Sequence, residues 1–301
     1  MMNPNGNPAQ SLTFPAAMGQ AQRPTGPILG IVIATVIFFV AQLAALPAGL
    51  PTEGAGLTFV HQAVLTGSFG VGAILLMLWV RFKERRPIRS LGFAAPSAGV
   101  KILRGALIGL VMISAVALIT VATGQGTLGA PNWSALLPAL VLLFGFTIQG
   151  STEELFARGY LVQAVSWKWG LLAAFVVQTV WFTLLHGANG GITVVPVLNL
   201  VLVAVFLGFW SLAEEGLWGV CAFHAVWNWG QGNLWGAHVS NMDVETSVLS
   251  FRPTPGASDL ISGGSFGFEG SLVSSLMLAL GTIVAVIMVR RRRRAATADP
   301  H

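Results

Sequence analysis

Long apolar runs separated by short polar breaks dominate this chain. A helix needs about 20 mostly apolar residues to cross roughly 30 Å of hydrocarbon. Eight stretches approach or reach that length, near 27–49, 59–80, 102–123, 134–157, 170–188, 192–212, 217–237 and 270–289. The first three and the last are clean. The fourth continues past its apolar part into a polar patch, and the fifth to seventh are short and interrupted by polar residues. The expected fold is all-α: a polytopic helical bundle of about eight transmembrane helices. Residues 1–26, rich in Pro, Gly, Gln and Asn with a single charge at Arg23, read as a disordered tail. They lack the basic start and short apolar core of a cleaved signal peptide, so the first span is expected to be retained. The membrane domain then covers 27–290, with the Gly-, Ser- and Pro-rich segment 238–269 as a long external loop and 291–301 as a basic cytoplasmic tail. Gly105 and Gly109 form a small-xxx-small pair on the third span, expected to allow close helix packing.

Composition strengthens this picture. Of 301 residues, 54% are hydrophobic and only 9% charged, against roughly 25% charge in soluble domains. A soluble enzyme and a disordered chain are both excluded. A lone Cys221 rules out an intrachain disulfide. The formal net charge is +5, but its placement points to membrane lipids as neighbours and to no nucleic acid. With eight spans and both termini cytoplasmic, every Lys and Arg except Arg252 falls on one side, including the run Arg290 to Arg294. That asymmetry is the one that orients membrane proteins. The chain reads as a multi-pass integral protein of a prokaryotic plasma membrane.

Against this apolar background a few polar side chains stand out. Glu153, Glu154 and Arg158 close the fourth span in Glu153-Glu154-Leu155-Phe156-Ala157-Arg158. On insertion scales each such charge costs on the order of 2.5–3.5 kcal/mol at mid-bilayer. Glu154 and Arg158 are spaced i,i+4 with the acid first, the favourable order, which leaves Glu153 without an obvious partner. His186 ends the fifth span one turn after Phe182, and His224 precedes Asn228 by one turn on the seventh. Such groups need a shared polar site or a water-filled cavity. The segment 166–170 is the only good turn between Glu153 and His186, so the fourth and fifth helices should form an antiparallel hairpin. Glu153 lies about 13 residues before that turn and His186 about 16 after it, roughly 20 and 24 Å along the two helices. The two side chains should therefore face each other. Counted as simple spans, however, the fifth helix puts His186 toward the outer side and the seventh puts His224 nearer the cytoplasm. Either the fourth and fifth helices project into the cytoplasm, or Gly187 to Gly191 breaks the chain within the membrane. Glu214 and Glu215 read as a solvated turn or helix N-terminus, and Cys221 as a packing residue.

The chain has no GxSxG elbow, phosphate-cradling loop or dinucleotide fingerprint. Two carboxylates, two His and an Asn in a membrane cavity suggest activation of water. A carboxylate can act as general base while His and Asn stabilise an oxyanion. Alternatively, two His and a Glu make a catalytic zinc set with an open position for water.

These motifs resemble those of the CPBP intramembrane proteases, which include the type II CAAX prenyl endopeptidases and the bacteriocin-processing and immunity proteins. Glu153-Glu154…Arg158 resembles their EExxxR motif, Phe182…His186 their FxxxH motif, and His224…Asn228 their HxxxN/D motif, in the family's order over roughly 134–237. The resemblance implies an eight-helix intramembrane endopeptidase acting on a membrane-bound or lipidated peptide. It implies Glu153 as the activating carboxylate, His186 and His224 completing the site, and Asn228 as an oxyanion or ligand-orienting group. Glu154, Arg158 and Phe182 would be supporting residues. Both family descriptions carry over: a metallopeptidase with zinc on Glu153, His186 and His224, and a metal-free glutamate peptidase. Two other readings use the same residues. One is a non-catalytic immunity or partner-binding protein of this fold; the other is a proton-coupled transporter.

Overall fold

The computed structural model describes residues 14–49, 56–93, 96–187 and 189–298. The chain is almost entirely helical. In order come α1 (Pro27–Gln42), α2 (Phe59–Leu78), α3 (Ala98–Ala122), α4 (Leu136–Glu154), α5 (Val162–Gly187), α6 (Val194–Glu214), α7 (Trp218–Trp229), the single turn α8 (Asp259–Ser262) and α9 (Leu272–Ala298). Three wider, π-helical turns interrupt or extend them: Trp79–Lys83 after α2, Leu155–Leu161 between α4 and α5, and Gly230–Leu234 after α7.

Among the described residues, six segments are long and apolar enough to cross a membrane. One of them, Trp133–Gly187, contains the reversal expected from the sequence. Gly170 adopts φ 82°, ψ 168°, outside helical geometry. Glycine reaches that region without a Cβ penalty, and the chain folds back there. Large apolar side chains point away from the protein on most helices, such as Leu137, Leu172 and Val194. The buried interior holds polar and charged groups as well as hydrophobic ones. Outward apolar faces around a partly polar interior are what lipid as the outer solvent demands.

The tightest contact joins α3 to α7. Gly105 sits against the backbone of Gly219, and Gly109 against the carbonyl of Phe223. Both glycines of the small-xxx-small pair are thus spent on one intramolecular crossing. The two helices run in the same direction, and Phe223 meets α3 near its midpoint. His224 is held at that level. Helix α5 ends at Gly187 with Phe182 still beside His224, their ring centroids 6.1 Å apart. A helix that stops at this level, followed by Gly190 and Gly191 at positive φ, brings the two His to one point.

Two expectations need correction. Residues 14–26, assigned from composition to a disordered tail, are packed; residues 1–13 lie outside the described residues. Pro15–Gln20 forms a 3₁₀ helix with Phe14, Ala17 and Met18 buried. Gln163 donates to the Phe14 carbonyl at 3.2 Å, and Ser166 to that of Pro15 at 3.0 Å. Three apolar side chains and two dedicated hydrogen bonds outweigh the loop-like composition. The segment 238–269 is likewise more than a tether. Phe251–Pro253 (β2) pairs antiparallel with Gly126–Leu128 (β1) beyond α3, and Phe266 and Phe268 are buried. The segment folds back over the ends of α3, α6 and α7.

The α3–α7 crossing can be tested directly. A Cβ at Gly105 would collide with the Gly219 carbonyl, whereas one at Gly99 meets nothing within 4 Å. Gly105→Ala should lower the melting temperature of detergent-purified protein, by the equivalent of about 1–3 kcal/mol or more. Gly99→Ala should melt like the unaltered protein.

Candidate active site

The charged patch at the end of α4 is assembled around one buried ion pair. Arg158 and Glu154 have fully buried side chains, and Arg158 Nη1 donates to Glu154 Oε1 at 2.9 Å. The same Glu154 Oε1 accepts from Nδ1 of His224 at 2.8 Å. One carboxylate therefore ties the α4–α5 connection to α7. The Arg158 guanidinium also lies over the face of Phe182, 4.6 Å from its centroid, where the ring quadrupole favours a cation. Phe182 in turn packs on His186 with centroids 4.2 Å apart. The ion pair and this one aromatic ring fix both imidazoles.

The π-helical turn Leu155–Leu161 begins immediately after Glu154, and all seven of its residues are buried. Such turns often mark functional sites. Here the turn carries Arg158, the cation of the pair.

Glu153 is held differently. Its Oε1 accepts from Gln149 Nε2 at 3.2 Å, one turn earlier on α4. Its Oε2 is buried and accepts no hydrogen bond. That oxygen lies 3.5 Å from His186 Nε2 and 3.7 Å from His224 Nε2. The opposite ring nitrogen of each His is already committed: His186 Nδ1 donates to the Phe182 carbonyl at 2.9 Å, and His224 Nδ1 to Glu154. Both imidazoles are therefore oriented with Nε2 toward Glu153. Two adjacent carboxylates have opposite situations, Glu154 shared between two donors and Glu153 with an oxygen left over.

Phe182 and the two imidazoles of this centre line an open cavity, about 480 Å³ with the solvent at its mouth included, formed by residues of α5, α6, α7, α9 and the 238–269 segment. His186, His224 and Asn228 face it together with Asn199, Ser240 and Glu269. The rest of the lining is apolar, including Phe182, Leu200 and Trp227. Glu269 is outside the membrane-spanning helices, and burial raises its carboxyl above the usual carboxylate range, partly opposed by a hydrogen bond from Ser240 and by the two His.

The structure brings together Glu153, Glu154, Arg158, Phe182, His186, His224 and Asn228, all singled out in the sequence. Cys221 is buried with its thiol against the Ser151 carbonyl, in agreement with a packing role. Glu214 departs from expectation. It is buried rather than solvated, and its carboxylate binds Arg104 and the Trp210 indole. Lys101 adds a bond to its backbone carbonyl at 2.9 Å. The Arg104 and Lys101 contacts cross from α3 to α6 and cannot be seen from sequence adjacency, whereas Trp210 stands one turn before Glu214 on α6. Glu215 adopts a left-handed conformation at the end of α6 and pairs with Arg292 at 2.9 Å. Gln149 and Glu269 are site residues the sequence reading missed. Gln149 had a signal, its i,i+4 spacing to Glu153; Glu269 is a lone acid in a Gly- and Ser-rich stretch.

Among the described residues, no three His, Cys, Asp or Glu side chains form a ready-made metal cluster. The donor types nevertheless match a catalytic zinc site, two imidazole nitrogens and a carboxylate oxygen. Their Nδ1 atoms are fixed by a carboxylate and a carbonyl, as outer-shell partners fix metal-binding His.

Fold and site together define a polytopic helical membrane protein with a buried carboxylate–imidazole centre opening on a mostly apolar cavity. Residues 134–230 match the family model described as type II CAAX prenyl endopeptidase Rce1-like. Over that core, about a third of the chain, it is similar to the CPBP, or CAAX protease, family. No curated protein and no solved structure matches the chain.

Removing Arg158 would strand Glu154 in the interior. Arg158→Met should destabilise the protein by about 3–5 kcal/mol, the usual cost of breaking a buried pair. The double variant Glu154→Gln/Arg158→Met should recover part of that loss. Thermal unfolding in detergent measures both, and an Arg158→Met protein as stable as the original would show that the pair does not sustain the fold.

Proposed function

We propose that this protein is an intramembrane endopeptidase that hydrolyses a peptide bond of a membrane-bound or lipidated peptide, with water activated at Glu153. The observation that carries the reading is Glu153 Oε2: a buried acceptor without a donor, beside two oriented imidazoles that themselves line the cavity. A water there would be hydrogen-bonded by the carboxylate that removes its proton. The substrate carbonyl would enter from the cavity, where Asn228 and the imidazoles can stabilise the oxyanion formed on attack. The proton taken by Glu153 is then available to the departing amine. Phe182, Arg158 and Glu154 hold this geometry and take no part in bond exchange.

The metal-bound and metal-free schemes differ by a proton on Nε2. Because both Nδ1 atoms are hydrogen-bond donors, a neutral imidazole presents a bare Nε2, as a zinc ligand must. An imidazolium presents an Nε2–H, as an oxyanion donor must. Zinc held by Glu153, His186 and His224 would act as a Lewis acid and make hydroxide available near neutral pH.

The wider assignment follows the charge pattern and the family. We place the protein in a prokaryotic plasma membrane with eight crossings and both termini cytoplasmic. Helices α4 and α5 supply two of the crossings within one continuous apolar segment, and α7 is the shortest. The membrane domain runs over 27–290, the catalytic core over 134–237, and the basic tail over 291–301.

Glu153→Gln, His186→Ala and His224→Ala should each reduce cleavage by at least about a hundredfold while folded protein persists. The measurement is mass spectrometry of peptide termini in membranes of a host expressing each form at matched levels. Full cleavage by Glu153→Gln overturns the assignment of Glu153. Identical termini with and without the active protein favour the partner-binding or transporter reading. Cleavage by protein shown by elemental analysis to be metal-free excludes the zinc scheme.

A further inference from the structure

The cavity contains a carboxylate that the water-activating machinery does not use. Glu269 lies in the 3₁₀ turn Phe268–Gly270 that leads into α9, outside the residues matched by the family model. Its backbone is pinned on both sides. The N–H donates to Gln231 Oε1 at 3.1 Å, and the carbonyl accepts from Asn199 Nδ2 at 2.8 Å. Gln231 and Asn199 are themselves buried. The carboxylate takes one hydrogen bond, from Ser240. Ser240 is also buried, in a backbone conformation with φ 49° that L residues seldom adopt. Three buried polar side chains from α6, the end of α7 and the 238–269 segment thus hold one acid in place. The acid nevertheless keeps part of its surface free, and that surface belongs to the cavity.

Charge makes this arrangement directional. The centre and its cavity hold three carboxylates, Glu153, Glu154 and Glu269. They have one guanidinium, Arg158, which is committed to Glu154 and to the Phe182 face. The balance is three negative charges against one positive while the imidazoles are neutral, and protonation of either His narrows that excess. In a cavity with low-dielectric walls, such an excess draws cations and repels anions. A buried carboxylate is stabilised best by a cation that hydrogen-bonds to it.

We propose that Glu269 is a specificity residue that receives a cationic group of the substrate, a Lys or Arg side chain or a free amine close to the cleaved bond. The inference rests on the endopeptidase reading and adds to it a substrate class, peptides basic beside the cut. It also accounts for the rigid seating of a residue that no helix requires.

Two measurements test this. The first takes the termini produced by the active protein but not by Glu153→Gln and reads the residues around each cut. Enrichment of Lys, Arg or a free amine near the cut is expected, and its absence overturns the proposal. The second uses synthetic peptides of one such cut sequence, with its basic residue kept or replaced by norleucine. The active protein should prefer the basic peptide, and in Glu269→Gln the ratio of kcat/KM values should fall by roughly tenfold to a hundredfold, mainly through KM. Glu269→Asp, which keeps the charge, should restore part of the preference, and Ser240→Ala should weaken it. A preference unchanged in a folded Glu269→Gln protein overturns the proposal. Loss of cleavage in Glu153→Gln with unchanged specificity in Glu269→Gln would leave the protease reading standing and remove this one. If no terminus depends on Glu153, both fall.

Discussion

The whole site depends on the cost of putting a charge where lipid surrounds the protein. Glu154 and Arg158 cannot remain ionised in the interior unless they find each other. One turn of helix gives them the spacing, and the resulting pair has capacity left over. Glu154 Oε1 also takes the Nδ1–H of His224, which docks α7 onto α4. Arg158 presents its face to Phe182, which stacks on His186 and anchors the end of α5. A single ion pair therefore aligns three helices around one point. The close α3–α7 crossing at Gly105 and Gly109 then sets the level of that point, near the middle of the bundle's length.

That lock explains how neighbouring carboxylates on one helix come to differ. Glu154 spends its charge on structure, being flanked by a guanidinium and an imidazole. Glu153, turned about 100° round the helix, receives one amide donor from Gln149 and keeps an oxygen free toward the two imidazoles. Environment, rather than residue type, separates a supporting acid from a reactive one. The same logic runs through the imidazoles. Each gives Nδ1 to a fixed acceptor, so only Nε2 is open to chemistry, and its direction is set before any substrate arrives.

Much of this was legible because membrane helices write their requirements locally. The Glu154–Arg158 and His224–Asn228 pairs, the reversal at Gly170 and the meeting of Glu153 with His186 follow from helical spacing and a single turn. What was hidden depends on contacts distant in sequence. Glu214 looks like a solvated turn residue until Arg104 and Lys101 are brought to it from α3. Residues 14–26 look disordered until Gln163 and Ser166 supply donors to their backbone. Glu269 carries no local pattern at all, because its place is fixed by side chains 29 to 70 residues away.

The short fifth helix joins these observations into one design. Helix α5 ends at Gly187, just after His186, and the segment after α7 fills the space beyond it with Ser240, Phe266 and Glu269. A helix that continued outward would have closed the cavity with lipid-facing side chains. Ending it beside His224 leaves the cavity open there and lets the 238–269 segment furnish the opposite wall. One wall is built on helices and locked by a buried ion pair, as the proposed water activation would require. The other is built on a pinned loop, where side chains that recognise a substrate can change without disturbing the bundle.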